Sequence, residues 1–266
     1  MKPNRLAVSL ALALLGSGCA TVPKDPVARA EYRANHDPLE PLNRRIFSFN
    51  LVVDRVLLKP LAKGYRRAIP EGGRDALRNF LNNLGEPVVF VNDLLQSRWP
   101  SAGKTLERFL ANSTMGVAGF ADWAKQKNLS RQTGDFGQTL DRWGFGEGPY
   151  LILPVLGPSS PRDAIGAGVD VYIDPFRYLV ETNHYPPAAT YGRGVLGGID
   201  ERSRNIDSLD ELQREAIDFY ASLRSLYRQN RAAQLHHGSA VSTPTPESFY
   251  NDPGAGEPPA DSAGGK

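Results

Sequence analysis

The chain has 266 residues, with 31 Lys and Arg against 29 Asp and Glu, for a formal net charge of +2. So near a balance argues against a general nucleic-acid binder, and the length suffices for one core of moderate size. Cys19 is the single cysteine, and the four histidines show no His-x-x-x-His or Glu-x-x-His spacing, so neither an internal disulfide, a metal site nor a cofactor is expected.

Lys2 and Arg5 precede the apolar stretch Leu6 to Leu15, and Gly16-Ser17-Gly18-Cys19 follows. That is the order of a signal peptide, and the apolar stretch falls short of the roughly 20 residues a spanning helix needs. Cys19 behind small residues resembles the lipobox of bacterial lipoproteins, in which the thiol receives a diacylglyceryl group and becomes the mature N-terminus. Gly16 stands where the usual Leu would be. Ala20, rather than Asp, implies sorting to the outer membrane. Thr21 to Asp37 is polar without an apolar period and reads as a tether.

Helical spacing dominates from there. Leu42, Ile46, Phe49, Val53, Val56 and Leu57 step by three and four, and Pro60 is expected to close this first helix. Further helices are expected at about Gly73 to Leu84, Val88 to Gln96, Ala102 to Ser113 and Gly119 to Lys127, separated by Pro70, Gly85-Glu86-Pro87, Trp99-Pro100 and Met115-Gly116. Ser160-Pro161-Arg162-Asp163 has the form of a helix start, with Ser as cap and Pro in the first turn, and predicts a helix to about Val171. Ser208-Leu209-Asp210-Glu211 reads as a second capping box, opening a long helix to about Leu235. Gly238 to Lys266 is rich in Pro, Gly, Ser and Thr and predicts a disordered tail.

No sustained period of two appears, so the fold class is all-α. Many of the 21 prolines and 26 glycines stand among apolar and aromatic residues. A compact bundle prefers long helices and short polar loops. Helices that turn this often can wrap around something.

Catalytic patterns are lacking. Neither Asn112-Ser113-Thr114 nor Gly157-Pro158-Ser159-Ser160 supplies a Gly-x-Ser-x-Gly nucleophile turn. Acid groups such as Asp37/Glu40 and Asp207/Asp210/Glu211 fall at helix starts, where carboxylates meet the positive dipole end. His184, beside Tyr185-Pro186-Pro187, reads as a loop residue. In "WGFGEGPYLILPVLGPSSPRD", Trp143 to Asp163, the glycines at 144, 146 and 148 miss the dinucleotide pattern, and Pro149 lacks the amide a phosphate cradle needs. Trp143, Phe145 and Tyr150 suit a membrane interface, and Leu151 to Leu156 reads as an apolar hairpin, either buried or resting among headgroups. Lys59, Lys63, Arg66 and Arg67 flank Leu57, Leu58, Leu61 and Tyr65, a mixture suited to an anionic lipid surface or to an ordinary solvated face beside a core stripe.

Several of these stretches occur together in one known family. Asp37-Pro38-Leu39-Glu40-Pro41-Leu42-Asn43-Arg44, Ile46-Phe47-Ser48-Phe49-Asn50, Asn79-Phe80 with Asn83-Leu84-Gly85-Glu86-Pro87, Val91-Asn92, Arg108 to Thr114, Asp135 to Leu140 and the Gly144 to Pro158 stretch resemble the MlaA (VacJ) family of outer-membrane phospholipid-transport lipoproteins. The match runs from about Asp37 to Asn230. The resemblance implies an all-helical ring of short broken helices around an amphipathic channel, seated in the inner leaflet of the outer membrane beside a trimeric porin. It implies removal of misplaced membrane phospholipids from the outer leaflet and their transfer to a soluble periplasmic shuttle of the MlaC type, without enzymatic chemistry. A lipid hydrolase and a purely structural lipoprotein are the rival readings.

The expected organisation is a signal peptide at 1–18, a tether at 19–37, the helical domain at 38–235 and the tail at 236–266. Cys19 is the expected lipidation site. Candidate channel-lining or lipid-contacting residues are Asn43, Asn50, Trp143, Gly144, Gly146, Gly148, Pro149, Tyr150, Leu153 and Pro154. Asn83, Asn92 and Asn112 are further amides that could meet headgroups, or equally cap helices and bridge turns.

Overall fold

The computed structural model describes residues 37–184, 186 and 188–237. The expected signal peptide, Cys19, most of the tether and the tail beyond His237 lie outside these residues. A division at Asp37/Pro38 separates two units of the chain, and the elements below all belong to the unit that begins at Pro38.

Among the described residues that unit is all-α apart from one small hairpin and a bridge residue at Gln132. Its elements are α1 (Glu40–Val53), a π-helical turn (Asp54–Leu58), α2 (Lys59–Ala68), α3 (Glu71–Leu95), α4 (Trp99–Thr114), α5 (Trp123–Gln126) and α6 (Phe136–Arg142). The strands β1 (Leu151–Leu153) and β2 (Gly157–Ser159) follow, then α7 (Pro161–Ile173), α8 (Pro175–Thr182), α9 (Ala188–Arg204), α10 (Ile206–Glu215) and α11 (Phe219–His237). The strands pair antiparallel, with Leu151 opposite Ser159 and Leu153 opposite Gly157. α3 packs most extensively against α4, and α6 against α7. Gly137 and Gly166 permit the second pairing: a Cβ on Gly166 would lie 2.4 Å from the Gly137 nitrogen.

The Ser160 cap forms as expected, its hydroxyl accepting from the Asp163 N–H at 3.1 Å. Four expectations are corrected. Pro60 does not end the first helix, because the Lys59 N–H reaches back five residues to the Asp54 carbonyl, and this wider turn makes room for the proline ring at the start of α2. Pro87 lies inside α3, where one missing hydrogen bond is outweighed by packing along α4. The predicted Gly119–Lys127 helix shrinks to α5, since Val117, Ala118 and Gly119 all take positive φ and helical geometry resumes only where Asp122 caps Lys125 at 3.1 Å. The predicted long final helix is two. Ala216 is extended, and the Asp218 carboxylate accepts from the Ala221 N–H at 3.1 Å to start α11. Ser208 falls inside α10, so its capping box does not form. Sequence spacing also passed over α6, α8 and α9.

The interior is polar to an unusual degree. Among the described residues the buried hydrophobic side chains number nine, whereas the buried polar and charged ones number eighteen. Charged side chains are rarely fully buried unless paired, and here they are paired across helices. Arg108 of α4 lies 3.0 Å from Asp122 and 3.7 Å from Glu86 of α3, which Arg131 also approaches at 3.6 Å. Burial pushes the Glu86 carboxyl above its ordinary range despite the opposing pull of Arg131 and Arg108. Asn92 of α3 donates to Asp170 of α7 at 2.7 Å and accepts from the Thr139 hydroxyl of α6 at 2.9 Å. Asp93 accepts from Thr105 of α4 at 2.9 Å.

Removing one partner from such a set leaves a buried charge without compensation. Arg108→Met is therefore expected to lower unfolding stability by about 3 kcal/mol, measured as a shifted urea midpoint. An unchanged midpoint would show that the Glu86 cluster carries no such weight.

Candidate functional site

The Trp143–Asp163 segment is held in place by α1. Pro41 stands in the first turn of that helix and Glu40 supplies the acidic residue favoured there. Asn43, 1% exposed, donates from its amide to the Tyr150 carbonyl at 2.9 Å and accepts from the Ile152 N–H at 3.0 Å. Asn50 repeats the arrangement two turns later, donating to the Leu153 carbonyl at 2.9 Å and accepting from the Val155 N–H at 2.8 Å. Seven residues of helix rise about 10.5 Å, and three residues of strand advance about 10 Å. The two spacings agree, so Asn43 bonds the backbone on either side of Leu151 at the start of β1 and Asn50 the backbone on either side of Pro154 just past its end.

This clamp divides the segment into two faces. Tyr150 and Ile152 point into the aromatic core with Phe47 and Tyr220. The Phe47 and Tyr220 rings meet edge to face at 5.6 Å, and Tyr150 lies 5.7 Å from Tyr227. Trp143, Phe145, Val155 and Leu156 face outward, Leu156 being 78% exposed. Val155 takes φ 67°, a left-handed conformation that costs a β-branched residue about 1–3 kcal/mol. Its N–H bond to Asn50 holds that strained tip. Gly148 takes φ 78° with Pro161 Cγ 3.1 Å from where a Cβ would sit, so a side chain there would be strained.

Behind β2 lies an open cleft of about 280 Å³, lined in part by Asp135, Ser159, Asp163, Asp170, Tyr227 and Arg231. Arg231 of α11 forks between two carboxylates, reaching Asp135 at 2.7 and 2.8 Å and Asp163 at 2.7 and 3.0 Å. Tyr227 donates to Asp163 at 2.7 Å. Burial works to raise the Asp163 carboxyl, but Arg231, Tyr227 and Arg162 together hold it below the usual carboxylate range. Tyr227 moves the other way, raised first by burial and then by its bond to Asp163. Among the described residues no group of His, Cys, Asp and Glu is arranged to hold a metal ion, and no helix is long and apolar enough to cross a membrane.

A family model for MlaA lipoproteins matches residues 35–234. The chain belongs to the MlaA lipoprotein family. It is 34% identical over 246 residues to the intermembrane phospholipid transport system lipoprotein MlaA of Haemophilus influenzae, covering 91% of this chain and 94% of that protein. Against the protein of the same name from Escherichia coli it is 35% identical, with coverage of 86% and 87%. It also resembles a solved structure from work on the structural basis for maintenance of bacterial outer membrane lipid asymmetry, at TM-score 0.65 and 34% identity, covering 73% of this chain and 96% of that one.

Within this family member, the expected lipid-facing residues separate by burial. Asn43 and Tyr150 are corrected: both are buried, Asn43 with each end of its amide on backbone and Tyr150 in the aromatic core, so neither presents a surface to lipid. Asn83, Asn92 and Asn112 are buried as well. They bridge helices, Asn83 reaching Ser113 at 2.9 Å and Asn112 capping the Ala124 N–H at 2.9 Å. Asn50 is half-buried and engaged by the hairpin, and Leu153 is half-buried beside it. Trp143, Gly144, Gly146, Gly148, Pro149 and Pro154 are exposed. Residues passed over as core include Phe49, Val56 and Leu57, which are exposed. The available signal was that apolar residues surround α1 on most of its circumference while Asn43 and Asn50 recur at two turns, marking the polar stripe as the inward one.

Asn43→Ala would strand one buried carbonyl and one buried N–H, at about 1–3 kcal/mol each. The expected result is a fall in melting temperature larger than that of Asn50→Ala, with earlier proteolysis between Tyr150 and Leu156; equal effects would contradict the clamp. Asp163, with its pKa held below an unfolded value of about 3.9, contributes stability that is full above that value and is lost as pH falls through the folded one. Asp163→Asn should therefore be less stable at neutral pH and show a shallower loss of stability below about pH 4, read from urea midpoints across pH.

Proposed function

We propose that this chain is the outer-membrane lipoprotein of an intermembrane phospholipid transport system, and that it works as a conduit without chemistry of its own. Mislocalised phospholipids leave the outer leaflet through an amphipathic channel within the ring of helices and pass to an MlaC-type periplasmic shuttle, so that lipid asymmetry is maintained. Cys19 carries the acyl anchor on the periplasmic leaflet, residues 19–37 form the tether, residues 38–235 handle lipid beside a trimeric porin, and residues 236–266 are a tail.

One observation carries the reading beyond family membership: the polarity of the domain is reversed. Large apolar side chains such as Phe49, Val56, Trp99, Val117, Leu156 and Tyr191 are exposed, while paired charges and amides fill the interior. In water each square ångström of exposed apolar surface costs about 25 cal/mol. Acyl chains remove that cost. A polar interior supported by Arg108, Arg162 and Arg231 suits a headgroup path, since a phosphate drawn out of water needs charged or hydrogen-bonding partners. Trp143 and Phe145 at the mouth of the hairpin segment are placed as interfacial aromatics would be.

Deleting the gene is expected to raise the phospholipid exposed on whole cells to an added phospholipase. Wild-type complementation reverses the increase, whereas Cys19→Ala, which removes the anchor, does not. Unchanged surface phospholipid in the deletion strain would defeat the transport reading in favour of a structural lipoprotein. Incubation of the purified protein with labelled phospholipid is expected to release no fatty acid; release would place it among the hydrolases.

A further inference from the structure

The proposed membrane seat says nothing about which lipids touch the domain, and α2 bears on that question. Successive residues of an α-helix advance by about 100°, which sorts α2 into four strips. Ala62, fully buried, and Tyr65 face α9, where the tyrosine hydroxyl donates to Asp200 at 3.0 Å. On one flank, Lys59 and Arg66 are neutralised by α10 through Asp210 at 2.7 Å and Asp207 at 2.8 Å. On the other flank of the buried strip run Leu61, Gly64 and Ala68, all exposed. Between that apolar strip and the α10 flank, on the face turned away from the buried strip, lie Lys63 and Arg67, exposed and one helical turn apart.

Resting on the membrane seat proposed above, we infer that Lys63 and Arg67 bind the anionic headgroups of phospholipids, with Leu61 and the preceding Leu57 among the first acyl carbons. Three observations converge on this. Neither Lys63 nor Arg67 has an ion pair among the described residues, whereas the other two basic side chains of α2 are both neutralised. The apolar strip next to them continues through the π-helical turn to Val56 and Leu57, both more than half exposed. The acidic residues that meet α2 are already engaged, Asp210 and Asp207 by Lys59 and Arg66 and Asp200 of α9 by Tyr65 and Arg204, which leaves the outer side positive and complementary to a phosphodiester layer. Long basic side chains lay their methylene stems over apolar surface and carry the charge outward to the headgroup level. A helix with an apolar strip bordered by free cations is the arrangement that lies in an anionic interface. The recognised chemistry is the phosphodiester of a phospholipid without a compensating cation, as in phosphatidylglycerol.

The test uses the full chain with a reporter, Leu61→Trp, reconstituted into phosphatidylcholine vesicles doped with either brominated phosphatidylglycerol or brominated phosphatidylcholine. Fluorescence quenching in excess of that seen without the reporter measures which lipid occupies the strip. Each basic side chain near an anionic surface contributes about 1 kcal/mol, or roughly fivefold in association. The expected result is therefore a preference of fivefold or more for the anionic lipid, reduced by salt, abolished by K63Q/R67Q and retained by K63R/R67K. Equal quenching by both lipids would overturn the headgroup assignment while leaving the membrane seat intact, and so would full preference in K63Q/R67Q. No added quenching by either lipid would remove the membrane seat of α2 along with it. Matching thermal midpoints of the two double variants keep a folding defect from imitating the loss.

Discussion

The two asparagines of α1 hold the β1–β2 hairpin. A β-hairpin of three-residue strands has little stability of its own, and the strands here number three residues each. What fixes it is that Asn43 and Asn50, two helical turns apart, bond the backbone at the two ends of β1, at Tyr150 and Ile152 and at Leu153 and Val155. With those groups satisfied, Tyr150 and Ile152 can enter the core while Val155 and Leu156 stand outside it. The same clamp aligns Ser159 and Ser160 to start α7, and α7 delivers Asp163 to Arg231.

From there the fold is assembled by polar cross-links more than by apolar packing. Arg231 ties α11 to the start of α6 and α7, Arg44 ties α1 to Asp218 at the head of α11, and Arg202 of α9 pairs with Asp54 in the π-helical turn. In an ordinary globular domain such pairs replace better hydrophobic alternatives at some cost in stability. Under the membrane seat proposed above the balance would differ, because apolar residues placed outside would lose nothing in contact with acyl chains.

Local signals fared unevenly against this background. The Ser160 start of α7 depended on contacts within four residues and formed as the sequence indicated. Pro60 and Pro87 were read as helix ends because a proline breaks the local hydrogen-bond ladder, yet a π turn absorbs the first and packing against α4 absorbs the second. The Ser208 capping box was a valid local pattern that lost to Asp210 pairing with Lys59 and to the break at Ala216. α6 buries Gly137, Gln138 and Thr139 and α9 buries Asp200 and Ser203, so apolar periodicity gives no signal there, while α8 is only eight residues long with Val180 alone buried. In the candidate site, the aromatic and glycine-rich character of Trp143 to Leu156 was legible, but the burial of Tyr150 and the exposure of Trp143 were not, since both are aromatic and only the distant α1 tells them apart.

By itself the sequence determined the helical class, the family, and the caps and turns encoded by neighbouring residues. Backbone preferences act over a few positions, so a linear reading reaches them. Which stripe of each helix faces inward was decided by the tertiary structure alone. The partners that make the interior polar, Asn43 with Tyr150, Asn92 with Asp170 and Arg231 with Asp135, lie dozens of residues apart, and apolar periodicity marks an amphipathic face without saying whether water, protein or lipid lies against it.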